Sequence, residues 1–164
     1  MPTKPITERE ALLKLSALCS RAEHSSGEMR DKLRRWGVDE QTRERIVGRL
    51  VDERFVDDER FCRFFVRDKI RFDKWGRRKI EQALFMKGVD KDVSGRVLDE
   101  VDDADYMAVL RPLLAAKRRS VKAATAYEMN AKLMRYAASR GFDMRLIRQC
   151  IDCDDLECDM EEDC

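Results

Sequence analysis

The sequence predicts an all-α fold: three tandem trihelical repeats in an elongated, curved array. Three observations lead there. The first is a recurring turn, Trp36-Gly37-Val38-Asp39, Lys87-Gly88-Val89-Asp90 and Arg140-Gly141-Phe142-Asp143, with the glycines 51 and 53 residues apart. Glycine adopts the left-handed backbone that ends a helix. The apolar residue after it packs back on the finished helix, and aspartate caps the next one. The second is agreement of the flanks. Met29, Ile80 and Leu133 precede the glycine by eight residues, and Leu33, Leu84 and Ala137 by four. Ile46-Val47, Val97-Leu98 and Cys150-Ile151 follow it by nine and ten. These are core positions on helical spacing. The third is composition: 41% charged residues, with three prolines and seven glycines in 164 residues, leave room for long helices with ion-paired outer faces.

Taken in order, residues 1–8 form an N-terminal tail and residues 9–54 the first repeat. Its first helix runs from about Glu10 to His24 on an apolar face of Leu12, Leu13, Leu15, Leu18 and Cys19, and Ser25 with Glu28 makes a capping box for the second. Residues 55–102 form the second repeat. Asp57 caps a helix from Asp58 to about Lys74 whose stripe is Phe61, Cys62, Phe65, Val66 and Ile70, and Trp75-Gly76 opens the next. Residues 103–152 form the third repeat. A helix from about Ala104 to Val121 contains Pro112 too deep for a first turn, which predicts a kink or break. Thr125 with Glu128 caps the helix after it. Residues 153–164 are an acidic C-terminal tail. One trihelical unit of this size buries a thin core, so neighbours must stack; a single compact nine-helix bundle is the alternative packing.

No run approaches the ~18 apolar residues that a membrane-spanning helix needs, and Met1–Arg9 has no apolar stretch of the secretory kind. The expected location is the cytoplasm, where the six cysteines are reduced thiols. A net charge of +1 hides an uneven distribution. Asp152–Cys164 carry eight acids and no bases, so residues 1–151 keep 34 bases against 25 acids, a net of +9. A basic body favours polyanions such as nucleic acid.

The cations are concentrated. Arg60, Arg63, Arg67, Lys69, Arg71, Lys74, Arg77, Arg78 and Lys79 fall in one stretch with Phe72 and Trp75 between them, and Lys117, Arg118, Arg119 and Lys122 add a second group. Arg30, Lys32, Arg34 and Arg35 lie in the first repeat. Guanidinium suits phosphate oxygens and aromatic rings stack on unpaired bases; a solvated, ion-paired helix face is the competing explanation. Trp75 fits equally as a staple on the next turn. The acidic runs around Asp52, Asp57 and Asp102 lack the alternation and central glycine of a calcium loop and read as helix caps. Cys150 and Cys153, with Cys158 and Cys164 beyond, have zinc-like spacing, yet Cys150 is a core position and no histidine is near. His24, the single histidine, is placed at a helix end. No catalytic constellation, metal site or cofactor motif can be assembled, so a binding protein is expected rather than an enzyme.

Phe55-Val56-Asp57-Asp58-Glu59-Arg60-Phe61-Cys62 and Trp75-Gly76-Arg77-Arg78-Lys79-Ile80-Glu81-Gln82-Ala83-Leu84-Phe85-Met86-Lys87-Gly88-Val89 resemble the RecX family of bacterial RecA regulators. The family pattern is matched at Asp57, Asp58, Arg60, Phe61, Gly76, Ile80, Leu84, Lys87 and Gly88, and the likeness covers about residues 8–152. Ala83 stands where glutamate is common, Cys62 where alanine is usual, and the tail after Asp152 has no counterpart.

The resemblance implies a protein that lies along the groove of the RecA nucleoprotein filament, suppresses ATP hydrolysis and strand exchange, and damps the DNA-damage response. It implies weak binding to single- and double-stranded DNA as well. On that reading Arg67, Lys69, Arg71, Lys74, Trp75, Arg77, Arg78, Lys79, Lys117, Arg118, Arg119 and Lys122 face RecA acids or DNA phosphates. Asp57, Asp58, Phe61, Gly37, Gly76, Gly88 and Gly141 hold turn and cap geometry, and the chain acts as a monomer. The alternative is an independent helical DNA-binding module or transcription regulator. Against it, Glu40, Glu44 and Asp92 place acids on the helices that would enter a groove.

Overall fold

The computed structural model describes residues 4–151. Among them there are nine helices and no strand. They are α1 (Glu8–Arg21), α2 (Ser26–Arg35), α3 (Glu40–Asp52), α4 (Asp58–Arg71), α5 (Arg77–Met86), α6 (Lys91–Asp99), α7 (Asp103–Ser120) and α8 (Ala126–Ser139). The ninth, α9, covers residues 144–151 and reaches the limit of the described chain.

The recurring glycine ends the second helix of each repeat. Gly37, Gly88 and Gly141 have φ of +77°, +75° and +90°, where a side chain would be strained. The next amide turns back to the helix: Val38 donates to the Leu33 carbonyl at 3.0 Å, Val89 to Leu84 at 3.2 Å and Phe142 to Ala137 at 3.2 Å. Each closure satisfies a carbonyl that the helix end leaves orphaned, and it seats Val89 and Phe142 in buried positions. The following aspartate caps the next helix. Asp39 accepts from the Thr42 amide at 3.1 Å, and Asp90 and Asp143 accept from Asp92 and Arg145 at 2.8 Å. The twelve flanking positions named above are all buried.

The chain divides into two compact units. The first comprises residues up to Phe65 with Ala83–Val97, the second Val66–Gln82 with Leu98 onward, and the division falls within α4, α5 and α6. In the first unit α1 and α2 both pack on α3 around Ala11, Leu15, Met29, Leu33, Ile46, Val47, Leu50 and Val56. Asp58 ties α4 to the start of α2, accepting from the Ser26 amide at 2.7 Å and the Ser26 hydroxyl at 2.6 Å. The N-terminus of α2 also rests on the C-terminal turn of α5: Ser25 donates its hydroxyl to the Lys87 carbonyl at 2.6 Å. A Cβ on Gly27 would stand 2.4 Å from that same carbonyl oxygen. Positive helix end meets negative helix end, a favourable dipole arrangement.

The second unit repeats the device. α7 packs on α8, and Ile70, Ile80, Leu98, Leu110, Leu114, Leu133 and Ile147 are buried within the unit. Gly76, at the start of α5, donates its amide to the Arg140 carbonyl at 2.8 Å, and Arg78 donates to the Gly141 carbonyl at 3.1 Å.

Several local expectations need correction. α1 starts earlier, behind a capping box of Thr7 and Glu10, and ends at Arg21. His24 therefore lies in the loop before α2, not at a helix C-terminus, with Nδ1 2.9 Å from Glu28 Oε2. Because Glu28 turns to His24 and to Lys87, the Ser25–Glu28 box is half made: Ser25 accepts the Glu28 amide at 3.1 Å without a return bond. Leu13 is 62% exposed, because Ala11 and Leu15, four apart, define the inward stripe of α1. α4 stops at Arg71, short of Lys74. Nor does Pro112 break α7. Proline and Ala108, whose carbonyl loses its donor, lie on the exposed side, open to solvent, while Leu110, Leu113 and Leu114 are buried along the opposite side of the helix.

Candidate functional site

All twelve cations and aromatics assigned to the candidate surface belong to the second unit. Trp75 is half-buried, and the ammonium groups of Lys69 and Lys79 each lie 4.7 Å from its ring centroid. Ring quadrupoles hold cations at such distances, so Trp75 organises the two lysines. Lys69 also pairs with Asp73 at 2.8 Å. Lys79 is seated by Gly141, where a Cβ would stand 2.5 Å from the Lys79 nitrogen. Arg71 lies 5.6 Å from the ring centroid of Phe72, itself 71% exposed. Lys74 is exposed in a left-handed conformation, φ +56°.

The remaining members differ in what they touch. Arg77 is committed to Asp99, 2.7 Å from its Nη2. Arg67 and Arg78 are exposed. Lys117 lies 4.5 Å from the ring centroid of Tyr136. Arg118 is half-buried, and Arg119 and Lys122 are exposed; the Lys122 carbonyl accepts from Lys132 Nζ at 2.8 Å.

Two residues that sequence reasoning missed join these groups. Arg140 lies 5.6 Å from the Tyr136 ring centroid, donates to the Tyr136 hydroxyl at 3.3 Å and donates to the Asp73 carbonyl at 3.3 Å. The Lys69–Trp75–Lys79 cluster and the Lys117–Tyr136 pair thus belong to one network through Arg140. Its place just before the third glycine was the available signal. What this basic band offers chemically is the positive charge of Lys69, Lys79, Lys117 and Arg140 gathered around two aromatic rings, Trp75 and Tyr136.

The turn and cap residues have distinct placements. Asp57 caps α4 by accepting the Arg60 amide at 3.0 Å, whereas Asp58 bridges to Ser26 rather than serving its own turn. Phe61 is buried and stacks on Phe65 at 5.5 Å. Burial pushes the Cys62 thiol up to about 12, with Asp58 and Glu59 adding to the shift, so it is no nucleophile at neutral pH. Cys150 is buried with Sγ 3.7 Å from Met107 Sδ. Cys153, Cys158, Cys164 and the acidic tail lie outside the described residues. Among the described residues no three His, Cys, Asp or Glu side chains gather to hold a metal, and no helix is long and apolar enough to cross a membrane.

A small pocket of about 110 Å³ lies beside Arg77, with Asp103, Tyr106 and Arg145 in its wall. The Tyr106 hydroxyl is buried there without a hydrogen-bond partner. Burial pushes it up to about 12, while Arg77 pulls the other way. Arg145 forks onto Asp103 at 2.8 and 3.2 Å, and those hydrogen bonds hold the Asp103 carboxyl below the usual carboxylate range.

Three family models match the chain in succession: RecX first three-helix domain over residues 13–50, RecX second three-helix domain over 57–98 and RecX third three-helix domain over 103–151. The chain belongs to the RecX family. Regulatory protein RecX of Prosthecochloris aestuarii is 32% identical over 144 residues, covering 88% of this chain and 93% of the relative. Regulatory protein RecX of Acinetobacter baylyi is 31% identical over 135 residues, 82% of each. Against Regulatory protein RecX of Clostridium perfringens, 32% identical over 121 residues, the chain spans 55% of the relative's length. The crystal structure of RecX from Lactobacillus salivarius superposes with a TM-score of 0.80 at 21% identity, over 91% of this chain and 97% of that one. A second RecX crystal structure gives 0.81 at 19% identity, over 88% and 73%. At such identities the RecX structures show the fold: all-α, in tandem three-helix domains.

Proposed function

We propose that this RecX-family chain binds the RecA–DNA filament and mainly inhibits RecA ATPase and recombinase activity, in DNA repair and the SOS response. The observation that supports the reading is the network through Arg140, which joins Lys69 and Lys79 on Trp75 to Lys117 on Tyr136. A filament loaded with DNA presents phosphates and protein acids to such a band. Arg67, Arg71, Lys74, Arg78, Arg119 and Lys122 supply the exposed contacts. Lys69, Lys79 and Lys117 are positioned by Trp75 and Tyr136, and Arg77 holds the base of α5 through Asp99. The protein acts by steric and electrostatic bias on filament packing, as a cytoplasmic monomer without metal or cofactor, and touches single- and double-stranded DNA weakly on its own.

The test is ATP hydrolysis by RecA on single-stranded DNA, titrated with this protein at fixed salt. Suppression at substoichiometric ratios is expected, and the Arg78→Glu, Arg119→Glu double variant should need about tenfold more protein for the same effect with unchanged helicity. Hydrolysis that stays at its starting rate throughout the titration refutes RecA as the partner. Tight duplex binding in the same preparation would then favour the independent DNA-binding module.

A further inference from the structure

Among the described residues only two besides glycine take the left-handed backbone, and both are long cations: Arg54 at φ +61° and Lys74 at φ +56°. Such a conformation crowds the Cβ of an L-residue against its own backbone, a strain that glycine escapes. Arg54 closes α3 in the way Gly37, Gly88 and Gly141 close their helices: the amide of the next residue, Phe55, donates to the Leu50 carbonyl at 2.9 Å. Three closures use glycine and this one uses arginine. The Arg54 carbonyl accepts from Arg60 Nη2 at 3.2 Å, but a glycine carbonyl would serve as well. Its side chain is exposed, with no hydrogen bond or ion pair to the described residues. The fold therefore gains nothing visible from the guanidinium it strains to present. Strain kept without internal return points outward, to a ligand.

Arg54 stands on a cleft of about 470 Å³ bordered by the start of α2, the end of α3 and the start of α4. The other charges of the cleft are committed. Asp58 serves Ser26, Asp57 caps α4, and Arg30 pairs with Glu44 at 2.9 Å. Val51, 46% exposed, supplies an apolar wall. The cleft thus combines one uncommitted guanidinium with a greasy edge.

We propose that this cleft is a second contact site, separate from the basic band, in which Arg54 receives a carboxylate side chain of a protein partner. A single Asp or Glu brings one charge on an apolar stem that Val51 can cover. A duplex, with a charge about every 1.7 Å along its axis, would bring further phosphates against Asp57 and Asp58. Lys74 shows the same strained presentation inside the band itself. The identity of the partner rests on the RecA reading above; the chemistry of the site does not.

The experiment uses the full chain with Arg54→Gly, and Arg54→Asn as a second left-handed-tolerant variant. Thermal unfolding, affinity for RecA–single-stranded-DNA filaments and affinity for bare single-stranded DNA are measured on each. The expected result is a Tm equal to wild type or about 2 °C higher, filament binding about tenfold weaker and bare-DNA binding unchanged. Unchanged filament binding overturns the proposal, as does a clear drop in Tm, which would make Arg54 structural. Parallel loss of filament and bare-DNA affinity overturns it in favour of phosphate. Should wild type ignore the filament, the RecA reading fails alone. Arg54 is then judged on a glutamate peptide of about ten residues, where weaker binding by both variants upholds a carboxylate site and equal binding sinks it.

Discussion

Gly76 donates its amide to the Arg140 carbonyl at 2.8 Å, and it has no room for a side chain: a Cβ would stand 2.4 Å from the nitrogen and Cα of Phe142. Gly27 faces the Lys87-Gly88 turn in the same way, 2.4 Å from the Lys87 oxygen. In each case the start of one repeat's second helix rests on the glycine turn of the following repeat. The basic band depends on the Gly76 contact, because Arg140 and Lys79 are placed by it.

Gly76→Ala and Gly27→Ala should each destabilise the chain by about 2–4 kcal/mol, since backbone cannot move aside as a side-chain tip can. Gly37→Ala should lose less, about 1–2 kcal/mol. Its φ is +77° but nothing lies within 4 Å of the added methyl. Urea denaturation of the three variants checks the order; equal losses would show that the close approach contributes nothing.

Two other glycines should behave in the opposite sense. Gly48 and Gly95 lie inside α3 and α6, without a positive φ and with open space where a methyl group would go. Alanine there should raise stability by about 0.5–1 kcal/mol each through helix propensity, read as a higher urea midpoint with an unchanged slope.

These glycines also mark how far the sequence could be read. The three turn glycines and their aspartates were legible because their physics is local: φ at one residue, a cap three or fewer residues on. Gly27 was not legible, and Gly76 was named only through the family pattern and not for its contact, since the constraint on both comes from backbone about 60 residues away. The same holds for Arg140 and Tyr136 in the candidate surface. The cation runs could be counted, yet nothing local says that Arg140 reaches the Asp73 carbonyl. His24 was misplaced, and a break at Pro112 does not occur, for a related reason: the Glu28 carboxylate beside His24 and the tertiary support for α7 lie outside any single-helix rule.

Asp58 offers a test of the tie between α4 and α2. Both of its oxygens are used, on the Ser26 amide and hydroxyl, and Ser26 is buried. Asp58→Ala leaves two buried donors unmet and should cost about 2–3 kcal/mol. Asp57→Ala removes an exposed cap and should cost about 1 kcal/mol. A double-mutant cycle of Asp58→Ala with Ser26→Ala should show coupling of at least about 0.5 kcal/mol; additive effects would mean the bridge carries no energy of its own.

Alkaline pH should weaken the fold through two buried acids. Burial raises Cys62 from 9.0 to about 12 and Tyr106 from 10.0 to about 12. Each stays protonated in the folded chain while the unfolded chain has begun to ionise, so the unfolded state binds fewer protons and stability falls as pH rises. The contribution is complete below pH 9 for Cys62 and below pH 10 for Tyr106, and it is lost as pH climbs toward about 12. Urea midpoints measured from pH 8 upward should therefore decline, beginning near pH 9. Cys62→Ala should flatten the first part of that decline and Tyr106→Phe the part above pH 10. Tyr106→Phe should also leave stability at pH 8 within about 1 kcal/mol of wild type, because the hydroxyl it removes has no partner. A decline of the same shape in both variants would show that neither group governs the alkaline transition.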